Sequence, residues 1–317
     1  MKIFVAGASG ALGRQLVPLL ARAGHEVVGS TTSTRKLERL AALGAQPVVL
    51  DVLDAEAVGR AVSEAQPEVV VHEATALGGV GGSFRKMDET FAQTNRLRTE
   101  GTDNLLGAAL AVGARKLVAQ SFAGWTFARE GAAVMNEEAP LDPDPAANAK
   151  KTIAAIRYLE ERVVAARELD GIVLRYGGFY GPGTSFAEGG ESVEAIRRRA
   201  FPIVGDGGGL ASFIHIEDAA RATFAAIERG GRGIYNVVDD DPAPVSAWLP
   251  YAAEAVGARP PRRVPLWLGK LVAGEMLATV MVEGRGASNA KARRELAWHP
   301  RYPSGRDGFV NGLGSAA

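Results

Sequence analysis

Three glycines near the start of the chain, Gly7, Gly10 and Gly13, stand between an apolar run, Ile3 to Ala6, and a helical pattern, Arg14 to Ala23. Gly7 permits a tight turn out of a strand, and Gly10 lets backbone approach a bulky polar ligand. Gly13 lets the helix settle closely on the sheet. The helix start adds free N–H groups and a positive dipole end, which suit a phosphate. Placed between a strand and a helix, the triplet predicts a dinucleotide site formed by Gly7, Ala8, Ser9, Gly10, Ala11, Leu12 and Gly13.

Strands and helices then alternate. Strand-like runs recur at His25–Gly29, Val48–Leu50, Glu68–His72, Lys116–Ser121 and Asp170–Arg175. Helical spacing is expected from about Ala55, over Asn95–Val112 with Thr102, Leu105, Leu106, Ala109 and Leu110 inward, and over Ile153–Glu168. This alternation predicts an α/β fold with a doubly wound parallel sheet. Residues 1–178 are expected to form the dinucleotide-binding domain, completed by a segment near 212–238. The Gly- and Pro-rich remainder, 179–317, is expected to form a smaller substrate-binding region over the strand ends. Val264–Val282 reads as an amphipathic helix at a subunit or substrate surface, because Lys270 and Glu275 interrupt it.

Lysine plus arginine and aspartate plus glutamate both number 36, so nothing points to nucleic acid or an acidic membrane. With no cysteine, a disulfide framework, a thiolate metal site and a cysteine nucleophile are excluded. His25, His72, His215 and His299 show no ligand spacing, so no metal is expected. No secretory leader is visible. The chain reads as cytoplasmic, a monomer or homodimer, acting on a small molecule.

The spacing G-x-x-G-x-x-G resembles the short-chain dehydrogenase/reductase superfamily, in its extended and atypical branches, with a Rossmann-type sheet. Leu174-Arg-Tyr-Gly-Gly-Phe-Tyr-Gly-Pro-Gly183, Val204-Gly-Asp-Gly207, Phe213-Ile-His-Ile-Glu-Asp-Ala219, Gly233-Ile-Tyr-Asn-Val-Val238 and Trp298-His-Pro300 are similar to successive segments of that superfamily. The resemblance implies that Asp51 and Val52 sit near the adenine and that His72, Ala74 and Thr75 line the cofactor path. It places Asn95 behind that path and implies cofactor contacts for Gln120, Arg157, Tyr176, Gly178 and Phe179. An acidic residue that would accept from a ribose 2′-hydroxyl is missing after the second strand. Ser30-Thr-Thr32-Ser-Thr-Arg35-Lys36 stands there instead, and its hydroxyls and cations, Thr32 and Arg35 foremost, suit a 2′-phosphate. NADP(H) is therefore expected over NAD(H), which stays possible.

Hydride transfer to a carbonyl needs a proton for the alkoxide. The family supplies it from a tyrosine, with a lysine four residues on and a serine on the fifth strand. Ser121 matches the serine, although a strand-end hydroxyl bonded to backbone is the alternative. Registering the helix on Glu161-Arg-Val-Val164 puts Ile153 at the tyrosine position and Arg157 at the lysine position. No Tyr-x-x-x-Lys occurs anywhere. Arg157 is then either a ribose ligand or an exposed helix cation. Tyr180 is a substitute acid or a packing aromatic. His215 is a substrate-side group or a structural histidine. A phenolic hydroxyl beside the substrate's own ketone is a third proton source. Phe122, Trp125, Phe127, Phe179 and Tyr180 follow two strand ends, and flat apolar walls suit a polycyclic aromatic. The chain thus resembles ketoreductases that tailor aromatic polyketides in secondary metabolism, such as antibiotic biosynthesis. A sugar-nucleotide epimerase or dehydratase, or a non-catalytic NADP(H)-sensing regulator, remains open.

Overall fold

The computed structural model describes residues 1–77 and 84–315. Seven strands form one parallel sheet: β1 (Lys2–Ala6), β2 (Glu26–Thr31), β3 (Ala45–Val49), β4 (Val69–His72), β5 (Lys116–Phe122), β6 (Asp170–Tyr176) and β7 (Gly233–Val237). Their order across the sheet is β7-β6-β5-β4-β1-β2-β3. The direction of winding reverses between β1 and β4, which opens a crevice at their C-terminal ends.

Each central strand is apolar on both faces, as a parallel sheet covered on both sides requires. Along β1, Ile3 and Val5 pack with Leu12, Leu16 and Leu20 of α1 (Ala11–Arg22). Phe4 and Ala6 face the opposite layer, with Val58 and Val62 of α2 (Ala55–Ala65), Leu105 and Leu106 of α3 (Thr102–Ala111), and Leu159 and Val163 of α4 (Lys150–Ala165). The alanine-rich face of α5 (Ile216–Arg229) shares the α1 layer. Asp54 caps α2 by accepting from the Ala57 N–H at 2.9 Å. This cap explains why the helix begins where the sequence suggested.

A smaller body lies beyond β6. Short strands Gly178–Tyr180 and Phe213–His215 pair in parallel, and Tyr180, Phe213, Trp248 and Phe309 form its aromatic core. One expectation needs correction here. Val264–Val282 is not one helix. Gly274, at φ +93°, splits it into Leu266–Ala273 and Glu275–Glu283. Asn95–Val112 is helical as expected and is amended only locally, where Leu97–Gly101 takes a π-helical turn between Ala92–Arg96 and α3. Among the described residues no helix is long and apolar enough to cross a membrane.

Candidate functional site

The crevice between β1 and β4 is lined first by the glycine loop. Gly7 has φ +86°, and a Cβ there would stand 2.6 Å from the Glu73 carbonyl oxygen. A Cβ on Gly13 would stand 2.4 Å from the Ala8 carbonyl oxygen. Both positions therefore demand glycine. Gly10 caps α1 with no side chain to occupy the first-turn N–H groups, so an anion finds them open. Ala8 and Leu12 send their side chains into the core, while Ala11 is half-buried. Backbone, rather than side chains, forms this floor.

The end of β2 closes over the loop. The Ser9 hydroxyl donates to Thr31 Oγ1 at 3.0 Å, and the Gly7 N–H donates to Ser30 Oγ at 3.3 Å. Thr32 and Arg35 are exposed just beyond, Arg35 within the turn Thr34–Lys36. Arg14 on α1 is pushed below its ordinary pKa by burial and by the nearby Arg39 cation. Positive charge is thus gathered beside hydroxyls at this corner.

On the other side of the crevice Asp51 is exposed, its carboxylate accepting from the Leu53 N–H at 3.0 Å, and Val52 is buried. Ala74 and Thr75 follow β4, half-buried and exposed respectively. Asn95 donates to Thr152 Oγ1 of α4 at 3.1 Å. Gln120, Gly178 and Phe179 are half-buried at the ends of β5 and β6. His72, expected along the cofactor path, is instead buried with Nε2 donating to the Leu97 carbonyl at 3.0 Å, and burial depresses its pKa to about 4.

Several expected chemical roles are overturned by packing. Ser121 is 2% exposed and donates to Glu160 Oε1 at 2.6 Å; the same carboxylate holds Arg175. Its hydroxyl is committed between β5 and α4. Tyr180 is fully buried against Phe213, His215 and Phe309, and burial raises its pKa, so it is a packing aromatic. His215 caps α5 through Nδ1, which accepts from the Glu217 N–H at 3.2 Å, and Nε2 donates to the Gly312 carbonyl at 2.8 Å. Both ring nitrogens are thus taken up by structural bonds. Tyr176 is buried too, its hydroxyl shared between Glu73 at 3.1 Å and Thr223 at 2.6 Å, so it offers a cofactor nothing polar. Arg157 donates to the Asp142 carbonyl at 3.0 Å, a loop contact in place of a ribose.

The register of α4 also changes. Glu161 is exposed, whereas Glu160 is the glutamate that turns inward. Counting back eight residues from it moves the tyrosine and lysine positions to Thr152 and Ile156. Thr152 is buried, donates to Asp88 Oδ1 at 2.8 Å, and is no acid. Ile153 and Ile156 pack with Phe127, Met135 and Leu141. In either register, the helix presents no proton donor.

Beside this face lies a narrow cleft with both polar and apolar walls. Phe122 and Trp125, both half-buried, stand with ring centroids 5.3 Å apart. Phe127 is 2% exposed and belongs mainly to the core, under the Arg175 guanidinium. Trp125, Met276, Thr279 and Val280 form the cleft walls with Arg129 and Arg285 at its rim. Past Arg129, Ala146 and Thr279 it widens into a mouth of about 320 Å³ edged by charged side chains such as Asp144, Lys150 and Glu275.

A glycine loop at a switch point, a helix start free of a capping side chain, and a vacant acid position together describe a cofactor-using site. The profile of the NAD dependent epimerase/dehydratase family matches residues 3–237. The chain belongs to this family. Among relatives of the family, a 3-diazoavenalumate denitrifying reductase of a Streptomyces species is 45% identical over 98% of this chain and 99% of its own. A 2-alkyl-3-oxoalkanoate reductase of Stenotrophomonas maltophilia is 31% identical over 81% of this chain and 76% of its own. The UDP-glucose 4-epimerase of Thermus thermophilus, solved with NAD, superposes with a TM-score of 0.74 at 25% identity, covering 99% of this chain and 98% of that one. The chain is accordingly an oxidoreductase of the epimerase/dehydratase family that uses a nicotinamide cofactor, and the glycine loop fits such a group.

Two residues escaped the sequence reading. Glu73, directly after β4, is buried with Oε2 unpartnered, and burial raises its pKa to about 8. Arg98 is 7% exposed and donates to Asn95 Oδ1 at 3.2 Å. A signal for Arg98 did exist: it lies four residues before Thr102 on the inward stripe of its helix, where a cation is out of place.

Proposed function

We propose that this chain is an NADPH-dependent reductase of an aromatic substrate that accepts hydride without a proton from the protein, and that an aromatic diazo compound fills that role. The observation that carries the reading is the proton-donor vacancy: Thr152, Ile153 and Ile156 offer no acid, Ser121 and His215 are hydrogen-bonded elsewhere, and Tyr180 is shut inside the aromatic core. A ketone reduced here would lack its usual acid. A diazonium does not need one. When bound, the reduced nicotinamide supplies a hydride. Its addition to the terminal nitrogen of Ar–N₂⁺ gives neutral Ar–N=N–H, which transfers that hydrogen to the ring carbon and releases N₂. Charge and atoms balance with no external proton. The name of the full-length Streptomyces relative supports the same chemistry.

The chain's own residues then do three things. The open N–H groups of α1 and the backbone of Gly7 to Gly13 hold the pyrophosphate. Thr32 and Arg35 take the 2′-phosphate, which favours NADPH over NADH. Phe122 and Trp125 stack the ring, and Arg285, whose Nε donates to the Arg129 carbonyl at 3.1 Å, faces a substrate carboxylate at the rim. Positioning, rather than acid catalysis, supplies the acceleration.

A second reading is reduction of an aromatic ketone whose neighbouring phenol gives the proton; ketone reduction on a fused ring is supported by a relative named as a dihydroquinoline-1-oxide ketoreductase. One experiment separates the two. The protein is incubated with C4-deuterated NADPH and either 3-diazoavenalumate or a polycyclic hydroxyketone. Deuterium on the ring carbon vacated by nitrogen, with N₂ released, is the expected result. Turnover of the ketone alone sinks the diazo reading. Tight NADPH binding with neither turned over points to a regulator.

A further inference from the structure

Arg98 carries its charge into the interior beside His72, at the end of β4. It sits in the π-helical turn Leu97–Gly101, a local irregularity of the kind that gathers at functional sites. On one side it donates to Asn95, which in turn donates to Thr152. On the other, its electrostatic neighbours are Glu160 and His72. Thr152, Ile156 and Glu160 are spaced by four on one stripe of α4, so these partners bracket the guanidinium beside Ile156. Ile156 is where the inward register places the family's lysine, and it has no polar group.

Charge is not balanced there. Glu160 already binds Arg175 through both oxygens and accepts from Ser121. His72, with its pKa near 4, is neutral at physiological pH. Burial lowers Arg98 only to about 10, so it remains a cation. Among the described residues no carboxylate lies within 4.0 Å of it. A buried guanidinium with one neutral acceptor is costly unless a ligand brings further acceptors.

We propose that Arg98 replaces the missing lysine across helices, its guanidinium binding the hydroxyls of the nicotinamide-side ribose. Such a diol presents adjacent oxygens that match the guanidinium fork. The pyrophosphate over the glycine loop sets the direction, since the second ribose must then cross the end of β4, where His72 neighbours Arg98. The inference rests on the family's nicotinamide cofactor and is independent of the diazo substrate.

The test is a ladder of cofactor fragments titrated against wild type, Arg98→Met and Arg98→Lys. NADP⁺ and 2′-phospho-ADP-ribose contain the second ribose, and 2′,5′-ADP does not. Arg98→Met is expected to weaken the first two at least about tenfold and leave the third within about twofold, with Arg98→Lys intermediate. Melting of the cofactor-free protein is expected to stay the same or rise, because an uncompensated charge has been removed. Equal affinities throughout overturn the proposal. So does a uniform loss accompanied by a lower melting temperature, which marks a structural role. If wild type ignores 2′,5′-ADP, the 2′-phosphate reading has failed, and the same comparison is made with NAD⁺, ADP-ribose and AMP.

Discussion

Arg175 donates twice to Glu160, from Nε to Oε1 at 2.8 Å and from Nη2 to Oε2 at 2.6 Å, with side chains only 4% and 5% exposed. The pair ties α4 to β6 beneath the site. Glu160→Ala leaves the guanidinium buried without its carboxylate, and is expected to cost about 3–5 kcal/mol of unfolding free energy in urea. Replacing both partners, Glu160→Leu with Arg175→Met, should recover most of that loss. A double variant as unstable as the single one would show that the pair itself, and not the stranded charge, sets the cost.

Ser121→Ala and Tyr180→Phe are expected to leave kcat within about threefold on the true substrate, since a working general acid contributes about 10²–10⁴. Steady-state kinetics of both variants decide this. A hundredfold loss in either restores side-chain acid catalysis.

Arg35→Asp places a carboxylate where the 2′-phosphate is expected. Fluorescence titration should find NADPH binding weakened by about tenfold or more, with NADH binding held or improved. Equal losses for both cofactors would end the 2′-phosphate assignment.

Burial shifts the Glu73 carboxyl from 4.5 up to about 8, and the Asp239 carboxyl from 3.8 up to about 8. Between those limits the folded chain keeps protons that the unfolded chain releases. This contribution to stability is full at the acid end and is lost as pH rises toward about 8, at up to about 1.4 kcal/mol per pH unit for each group. Glu73→Gln holds the neutral form at all pH. Its stability relative to wild type should therefore climb between about pH 5.5 and about pH 8 in urea titrations. A gap that does not change with pH would mean that Glu73 does not titrate in this window.

The sheet and the glycine loop were legible because their signals are local. Two-sided apolar strands and a Cβ-free turn are properties of a few consecutive residues. The chemistry was less legible because facing decides it. Glu160 and Glu161 are neighbours in sequence but about 100° apart around the helix, and only one meets Arg175. Ser121 pairs in register with Arg175 across β5 and β6, so both turn toward α4. That relation spans 54 residues (175 − 121) of chain. Tyr180 and His215 looked free only because Phe309 and Gly312, which enclose them, come from the far C-terminal end. Gly274 lay in plain sight, yet a lone glycine within an amphipathic pattern is compatible with one helix, and only its φ of +93° shows the break.

That break bears on how such a protein diversifies. At Gly7 and Gly13 any side chain collides with main-chain atoms, so the cofactor end tolerates almost no drift. The far wall of the cleft comes from the short helix Glu275–Glu283, which hangs on a glycine joint and is steadied by side-chain contacts such as Asn148 with the Met276 N–H at 3.3 Å. Substitutions there re-aim a wall without disturbing the sheet. New substrates are therefore reached by mutating the joint and its helix, while the hydride-bearing half is inherited intact.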